Sequence, residues 1–313
     1  MTIGIGAIGP NAGLAVVRAL AAAEAVGTGA IGGFAVFAAI GADGRLYRAE
    51  TQRGGTKTLF TDGETTGTAP PPEVAAAPFA ALMSSGPDRP APLSQFLAAS
   101  GAGLVTGHRL PNTPGPDGRP VNETVLAEMA AGRKAQDALT DVLDADPTVD
   151  AGMIALGPGR GLAARNSRLV ATRPDLGGAT LTAGDCSVAV LHNAIRPDAT
   201  LAPMVAAVAL DILVPPHTVA GHATVRAGTP VALADAHRVT LGADGVATLI
   251  ETTDPRLMTG RHACAAIYLG ALVVQDDVPL GRTVMEPNVL VEDGRIRRLS
   301  GQDEVRIPFA KAD

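Results

Sequence analysis

The stretch "TIGIGAIGPNAGLAVVRALAAAEAVG", residues 2–27, decides how the fold begins. Its first residues predict a strand, Asn11 is typical of a helix N-cap, and Gly27 is typical of a helix end. Between these two positions, apolar residues recur at roughly helical spacing and form one face: Leu14, Val17, Leu20, Ala21 and Ala25. The stretch therefore predicts a strand, a turn and a helix in that order.

A hairpin is predicted next, in "GGFAVFAAIGADGRLYRAETQ", with its turn at Asp43-Gly44. The order repeats later, as "CSVAVLHNAIRPDATLAPMVAAVALDILVPP" followed by a hairpin that contains "GADGVATLIET". The latter aligns with "GADGRLYRAET", so that Glu50 matches Glu251, and Asn11 matches Asn193. We therefore predict an internal duplication, with related halves at residues 1–180 and 181–313.

Further elements extend this pattern. "PPPEVAAAPFAALMSS", residues 70–85, and "NETVLAEMAAGRKAQDALTDVLDAD", residues 122–146, are predicted to be helical. "MIALGPGRGLAARNS" and "VLVEDGRIRRLSG" resemble further hairpins. Many antiparallel strands with helices at their faces predict the α+β class, with stacked antiparallel sheets covered by helices in an αββα-like arrangement.

Composition limits the function classes. The 313 residues carry a net charge of −6 and have a mean hydropathy of +0.22, and they contain no Lys/Arg cluster. This balance argues against a nucleic-acid partner. No apolar run approaches the ~18 residues that a membrane helix needs, and the first residues lack the basic region of a signal peptide. We therefore predict a soluble, cytoplasmic protein without a membrane partner.

Metal and cofactor signals are weak. Cys186 and Cys264 stand far apart, without the spacing of a zinc site or a disulfide framework. His217, His222 and His237 lie in one stretch, but their spacing matches no metal-ligand signature. "GPGRGLAAR" lacks the Lys and Ser/Thr of a phosphate-binding loop. We predict neither a metal nor a cofactor.

Three motifs resemble, in their order, the isoaspartyl peptidase/asparaginase branch of the N-terminal-nucleophile hydrolases. They are the hairpin that ends in "ETQRGGT", the Thr-Gly turn in "GLVTGHR", and the strand pair in "DAGMIALGPGRGLAARNS". The resemblance covers residues 28–170 and implies hydrolysis of C–N amide bonds. It implies that Thr51 and Gly54-Gly55 lie beside the nucleophile, and that Thr106 and Gly107 face the substrate carbonyl.

The nucleophile of that family is a Thr at the start of a strand, exposed by cleavage after Gly. The aligned position here is Phe34, which has no nucleophilic atom. Thr28, which follows Gly27, is one substitute. Thr2 is another, because removal of Met1 would give it both a hydroxyl nucleophile and an amine base.

Other polar residues are candidates for substrate binding. Arg53 beside the glycine pair suits a carboxylate, and Glu50 with Glu251 would share one cleft if the two halves pack around a pseudo-twofold axis. His108 follows the Thr-Gly turn and is a candidate base, with Arg109 next to it. His192 lies before a helix N-terminus, where exposed amides bind anions.

The leading hypothesis is a hydrolase of C–N amide bonds in a small, linear or cyclic, nitrogenous metabolite, with "ETQRGGT" lining its pocket. The alternative is a non-catalytic protein that binds a small metabolite on a degenerate hydrolase fold. A ring-opening amidohydrolase with a Ser/Lys pair is disfavoured, since Lys57 is the sole Lys near the Ser84-Ser85 turn in sequence. The Ala/Val-rich helix near residues 201–213, apolar on several sides, predicts a homodimer that covers it.

Overall fold

The computed structural model describes residues 1–215 and 218–311. The chain divides into two compact units, Met1–Pro215 and Pro216–Asp313. The predicted α+β class with several antiparallel sheets is confirmed. The predicted division after residue 180 differs from this boundary, since it falls inside the strand Leu176–Ala183, which pairs with Cys186–Asn193 in the main sheet of the first unit.

The first unit contains the following elements. Its strands are β1 Thr2–Ile8, β2 Ala35–Ile40, β3 Leu46–Thr51, β4 Thr61–Asp62, β5 Thr65–Thr66, β6 Phe79–Ser85, β7 Ala98–Ser100, β8 Gly103–Arg109, β9 Ala151–Gly157, β10 Gly161–Asn166, β11 Leu176–Ala183 and β12 Cys186–Asn193. Its helices are α1 Ala12–Val26, α2 Thr56–Leu59, α3 Pro72–Ala75, α4 Val121–Ala130, α5 Ala135–Ala145, α6 Arg168–Ala171 and α7 Asp198–Leu213, with a 3-10 turn at Leu93–Phe96.

A six-stranded antiparallel sheet forms the first layer, in the order β11-β12-β1-β6-β2-β3. The odd-numbered residues of β1, such as Ile3 and Ile5, pack against α1 and α7 in one apolar cluster. Since successive strand residues face opposite sides, Thr2 and Gly4 face away from these helices. The first residue of β1 therefore lies on the inner face of the sheet.

A four-stranded antiparallel sheet, in the order β10-β9-β8-β7, stacks on that inner face. Residues such as Val36, Met83, Leu104 and Ile154 form the apolar layer between the two sheets. The other face of the four-stranded sheet packs on α4 and α5. The first unit is thus ordered as helices, sheet, sheet and helices.

Glycine allows the two sheets to approach closely at one end. A Cβ at Gly4 would lie 2.5 Å from the carbonyl oxygen of Gly107 in the facing sheet, so a side chain at Gly4 would push the layers apart. A Cβ at Gly107 would lie 2.0 Å from the carbonyl oxygen of Gly152 on the neighbouring strand of its own sheet. The glycines bring the start of β1 near the end of β8.

The predicted helix over residues 70–85 is wrong for most of its length. Only α3 is helical there, and Phe79–Ser85 forms strand β6 between β1 and β2. A strand that is buried on both faces is apolar throughout and lacks the alternation that distinguishes a strand from a buried helix.

The second unit consists of strands. They are β13 Val219–Arg226, β14 Val231–Leu233, β15 Arg238–Leu241, β16 Ala247–Thr252, β17 Arg261–Cys264, β18 Leu272–Gln275, β19 Val278–Thr283, β20 Val289–Glu292, β21 Arg295–Leu299 and β22 Glu304–Ala310, with a 3-10 turn at Pro255–Met258. Seven strands form one mixed sheet, β13-β22-β19-β18-β15-β16-β14, and β17-β20-β21 form another. Val273, Val291 and Ile307 belong to its core.

The two sequence matches that suggested duplicated halves fall in different units. The strand and helix of the supposed second copy, β12 and α7, belong to the first unit, whereas the matching hairpin, β15 and β16, belongs to the second. Two intact related halves therefore do not describe the chain.

Candidate functional site

Thr2 is the first residue of β1 and is 1% exposed. In the sheet it stands between Asn193 of β12 and Ser85 of β6. Its Oγ1 donates a hydrogen bond to Asn193 Oδ1 at 2.8 Å and accepts one from the backbone N–H of Arg109 at 2.6 Å. The hydroxyl is therefore held in a fixed direction by two strands and by the facing sheet.

Arg109 ends β8 with a φ of 67°, in the left-handed region that is uncommon for residues other than glycine. Its guanidinium makes two hydrogen bonds to the carboxylate of Asp150 through Nε and Nη2. These hydrogen bonds lower the pKa of Asp150. This ion pair between Arg109 and Asp150 holds the end of β8 in place. It thereby positions the Arg109 N–H that contacts Thr2.

His108 connects Asn193 to a second asparagine. The His108 ring is fully buried, with Nδ1 3.3 Å from Asn193 Oδ1 and Nε2 2.8 Å from the side chain of Asn166. Burial lowers the pKa of His108, so the ring is neutral and has one N–H. Both ring nitrogens face an amide oxygen, so the single N–H donates either to Asn166 Oδ1 through Nε2 or to Asn193 Oδ1 through Nδ1. The ring thus lies between the two asparagines, and Asn193 in turn contacts Thr2.

A cavity of about 200 Å³ opens beside Thr2. It is lined by Met1, Thr2, Arg89, Arg109, Leu110 and Asn193. The environment is cationic: burial first, and then the charges of Arg89 and Arg109, lower the pKa of the Met1 amino group. The structure therefore brings together Thr2, Arg109 and, one layer behind them, His108, three of the residues that the sequence nominates.

The stretch "ETQRGGT" is a turn and does not line this cavity. Gly54 and Gly55 have φ values of 94° and 53°, and the Gly55 N–H donates to Gly33 O. Glu24 of α1 accepts hydrogen bonds from the N–H and hydroxyl of Thr56. The Gly55 N–H is thus already bonded within the protein, and its role as a donor to a ligand stays a prediction.

Arg53 and Thr51 of that stretch also have local partners. Arg53 is 82% exposed and forms an ion pair with Asp88, and the Thr51 hydroxyl bonds to Arg53 O and Thr58. Gln52 makes two hydrogen bonds to the backbone of Arg89, which does line the cavity. The stretch thus supports a residue of the site without contributing one.

Thr106 and Gly107 are buried inside the stacked sheets. The Thr106 hydroxyl is fully buried and donates to Leu82 O, and Gly107 is covered by Gly4 and Gly152. Neither lines the cavity, and the roles that the resemblance implied for them stay predictions. Residues that alternate along β8 point to opposite faces, and only its last residue reaches the open end.

His192 is fully buried on the helix side of β12, since its neighbour Asn193 faces Thr2. Neither ring nitrogen has a hydrogen-bond partner among the described residues. Burial, and then the nearby His108, lower the pKa of His192 to about 4. The ring does not line the cavity, and the predicted role of His192 in substrate binding stays a prediction.

The remaining candidates lie elsewhere. Glu50 is exposed on β3 of the first unit, and Glu251 on β16 of the second unit lies 3.5 Å from Arg238. Their shared cleft stays a prediction. Phe34 is buried against Phe96, and Thr28 is exposed and pairs through its backbone with Arg196. Of the three positions considered for the nucleophile, Thr2 alone borders the cavity.

Sequence reasoning missed Asn193, Asn166 and Arg89 as site residues. Asn193 was noticed only as a landmark of the supposed repeat, although an Asn at the end of a buried apolar strand is itself an unusual placement. Arg89 stands in a Pro-rich loop without a recognisable motif. Its proximity to Thr2 depends on the fold alone.

Another cavity has few charged side chains in its lining. A groove of about 660 Å³ runs along α4 and β7 and is lined mainly by Ala, Leu and Pro, with Arg48 and Glu123. Among residues 1–215 and 218–311, no group of three or more His, Cys, Asp or Glu side chains could hold a metal ion. His217 of the considered histidine group lies outside the described residues. No helix in those same ranges is long and apolar enough to cross a membrane.

Comparison with known families identifies two matches. Residues 2–222 match a family described as a domain of unknown function (DUF6963), and the chain belongs to this family. Residues 228–304, inside the second unit, match another domain of unknown function (DUF7259). A search of the curated proteins finds no match to the chain.

Proposed function

We propose that the first unit is a hydrolase of C–N amide bonds in small nitrogenous molecules, with Thr2 as its nucleophile. The observation that carries this proposal is the environment of the Thr2 hydroxyl. It begins a central strand, it is held between Arg109 N–H and Asn193 Oδ1, and it borders a cavity. Two fixed hydrogen bonds on a buried strand give the precision that a nucleophile requires.

Activation requires a base, and hydrolysis of the Met1–Thr2 bond would provide one. A Thr with a free amino group carries its own base, because that amine can accept the hydroxyl proton. A base works best when its pKa lies near the working pH. Burial, and then the charges of Arg89 and Arg109, lower the pKa of the amino group at this end of the chain, and they would act in the same direction on the Thr2 amine.

The reaction then follows the course of acyl transfer. Thr2 Oγ1 attacks the substrate carbonyl while its proton passes to the Thr2 amine. The amide NH₂ of Asn193 supports the negative oxygen of the tetrahedral intermediate. Collapse breaks the C–N bond, and the protonated amine of Thr2 returns its proton to the leaving nitrogen. Water hydrolyses the resulting ester and frees Thr2.

Features of the fold support the proposal indirectly. Two stacked sheets between helical layers, with a Thr at the start of a central strand, resemble the N-terminal-nucleophile hydrolases. We propose that this αββα-like arrangement reflects that superfamily. We propose further that β1–α1 and β12–α7 are related repeats, since a left-handed residue follows each strand, at Asn11 and Ala194.

The second candidate function is non-catalytic binding of a small metabolite in the same cavity. Met1 favours it, because its Sδ accepts a hydrogen bond from the Ala30 N–H and fixes the residue that covers Thr2. A cytoplasmic location and a homodimer remain proposals. The apolar surface of α7 was the reason to predict a homodimer, but α1 and β11 of the same chain cover this helix. Covering α7 therefore does not require a second copy of the chain.

The experiment combines intact mass with turnover. We expect purified protein whose intact mass shows that Met1 has been removed to release ammonia or amine from a panel of small linear and cyclic amides. Thr2→Val should abolish release, Thr2→Ser should retain part of it, and Thr182→Val, at an exposed threonine of the same sheet, should behave as wild type. Full activity in folded Thr2→Val would refute the proposal, and a protein that retains Met1 and releases no ammonia or amine from any amide of the panel would favour the binding function.

A further inference from the structure

Strand β3 is an outer strand of the six-stranded sheet, and one of its sides is open. It pairs only with β2, over Leu46–Thr51 and without a bulge. Proteins commonly block such edges with a proline, a bulge or a very short strand, and β3 has none of these. Arg48 and Glu50 of β3 are exposed and border a cavity of about 380 Å³. The described part of the chain therefore leaves this edge uncovered.

The hairpin turn fixes which backbone groups of β3 point to the open side. Gly41 N–H donates to Arg45 O, so these two residues form a hydrogen-bonded pair. Hydrogen-bonded and non-hydrogen-bonded pairs alternate along an antiparallel ladder. The odd-numbered residues of β3 therefore bond to β2, whereas the even-numbered ones, such as Arg48 and Glu50, direct their N–H and C=O groups outward.

Charge selects one register in which two copies of β3 can pair antiparallel. Outward-pointing residues must face each other, and two registers then give the longest overlap: residues 46–50 with Arg48 on the twofold axis, or residues 47–51 with Ala49 on it. The first places Arg48 opposite Arg48, and like charges directly opposite each other are destabilising. The second places Arg48 of each copy opposite Glu50 of the other, which makes two cross-strand ion pairs.

Within one chain, the charges of Arg48 and Glu50 are not balanced. Neither side chain forms an ion pair among the described residues, and the Arg48 guanidinium donates to the backbone oxygen of Ala99 at 3.0 Å. The second register gives each of them an opposite charge. Beyond the strand, Arg45 approaches Arg53 of the second copy, whose charge is already balanced by an ion pair of its own.

We propose that the open edge of β3 binds the same edge of a second copy of the chain, antiparallel and with Ala49 on the twofold axis. The two six-stranded sheets then form one continuous sheet across an interface that uses the same surface of both copies. The opposite edge, β11, is less suited to such pairing, because it has no charged residue to fix a register and contains Gly177-Gly178. This inference is independent of the role of Thr2.

The first test reverses the two charges and follows the mass by sedimentation velocity. We expect the wild type to form a species of twice the 31.5 kDa chain mass, in an equilibrium that depends on concentration. Arg48→Glu and Glu50→Arg should each weaken dimerisation about tenfold or more, because each places like charges opposite each other. The double variant Arg48→Glu/Glu50→Arg should recover the wild-type affinity, since it restores opposite charges. Thr180→Lys adds a charge to the exposed β11 edge and should leave the dimer intact.

The second test concerns the register. Ala49 and its copy form a non-hydrogen-bonded pair in the proposed dimer, with Cα atoms about 4.5 Å apart, which is within reach of a disulfide. Ala49→Cys should therefore form a disulfide-linked dimer under mild oxidation, seen on a non-reducing gel. Thr51→Cys should not, because residue 51 faces residue 47 of the second copy. Wild type, which keeps Cys186 and Cys264, gives the background.

Several outcomes would overturn this inference. They are a wild type that stays monomeric at every concentration, a dimer that persists in the folded single variants, and a double variant that does not recover. Loss of the dimer in Thr180→Lys would assign the interface to β11, and cross-linking of Thr51→Cys as readily as Ala49→Cys would exclude the register. An unchanged melting temperature shows that the charge variants are folded, and we expect this because Arg48 and Glu50 are exposed.

Discussion

Gly152 decides whether the polar network behind Thr2 can form, and replacing it with Ala tests that network. Gly152 of β9 lies between His108 of β8 and Asn166 of β10 in the register of the sheet. A Cβ at this position would stand 2.1 Å from His108 Nε2 and 2.1 Å from Asn166 Oδ1. Real Cβ contacts are never that short, so the ring or the amide must move.

The magnitude follows from what the movement breaks. Displacing either side chain removes the 2.8 Å hydrogen bond between them and leaves two polar groups without partners. Each buried unsatisfied group costs about 1–3 kcal/mol, and overpacking adds about 1–3 kcal/mol. We expect Gly152→Ala to lower the unfolding free energy of the first unit by about 3 kcal/mol or more, which lowers its melting temperature by roughly 6–12 °C.

The assay is urea denaturation followed by circular dichroism at the helical wavelength. The α-helices of the described residues all belong to the first unit, so the signal reports on that unit. Gly101→Ala is the matched control, because a Cβ there meets nothing within 4 Å. If Gly152→Ala and Gly101→Ala unfold at the same urea concentration, the His108–Asn166 contact is not as we describe it.

Three further predictions concern neighbouring groups. His192 is neutral in the fold with a pKa of about 4 against 6.5 when unfolded, so its stabilisation is complete above pH 6.5 and is lost as pH falls toward 4. Between pH 7 and pH 4 we expect the unfolding free energy of wild type to fall by about 3 kcal/mol more than that of His192→Leu, measured by urea titrations. Glu24→Ala leaves the Thr56 N–H without its acceptor and should cost about 1–2 kcal/mol by the same denaturation assay. If Thr2 is the nucleophile, Asn193→Ala should reduce kcat about 10²–10³-fold in the amide-release assay, because the oxyanion loses its donor.

Matched controls separate these effects from general damage. His222→Leu, Glu73→Ala and Asn288→Ala replace exposed residues of the same types and should change neither stability nor turnover. An acid profile of His192→Leu that parallels wild type would contradict the pKa assignment. Wild-type stability in Glu24→Ala, or wild-type kcat in Asn193→Ala, would likewise contradict the contacts on which those predictions depend.

Much of the local structure could be predicted because its causes are local. Strand β1 and helix α1 follow from apolar spacing, and α1 ends at Val26 just before Gly27, as expected. Asn11 precedes α1 as predicted, but it adopts a left-handed backbone with φ 61° and makes no side-chain cap. The break between α4 and α5 lies at Gly132, where φ is 107°. Turn and helix-end residues act on their immediate neighbours, so their effects can be predicted from the sequence without knowledge of the fold.

The candidate site could be predicted only in part. Thr2, His108 and Arg109 were nominated for their chemistry, and the structure brings them together. The prediction that "ETQRGGT" lines a pocket rests on bare glycines, which indicate a close approach but do not identify the group that approaches. Here the neighbour is the Glu24 carboxylate, which would lie 1.9 Å from a Cβ at Gly55.

The α+β class and the four longest helices, α1, α4, α5 and α7, follow from local patterns that the sequence contains. That residues 79–85 form a central strand and that Thr2 contacts Asn193, 191 positions away, follows only from the folded sheets. Strand partners are chosen by burial and by register over the whole sheet, and these are properties of the assembled layers. The partners of the Thr2 hydroxyl therefore lie around it only once those layers are assembled.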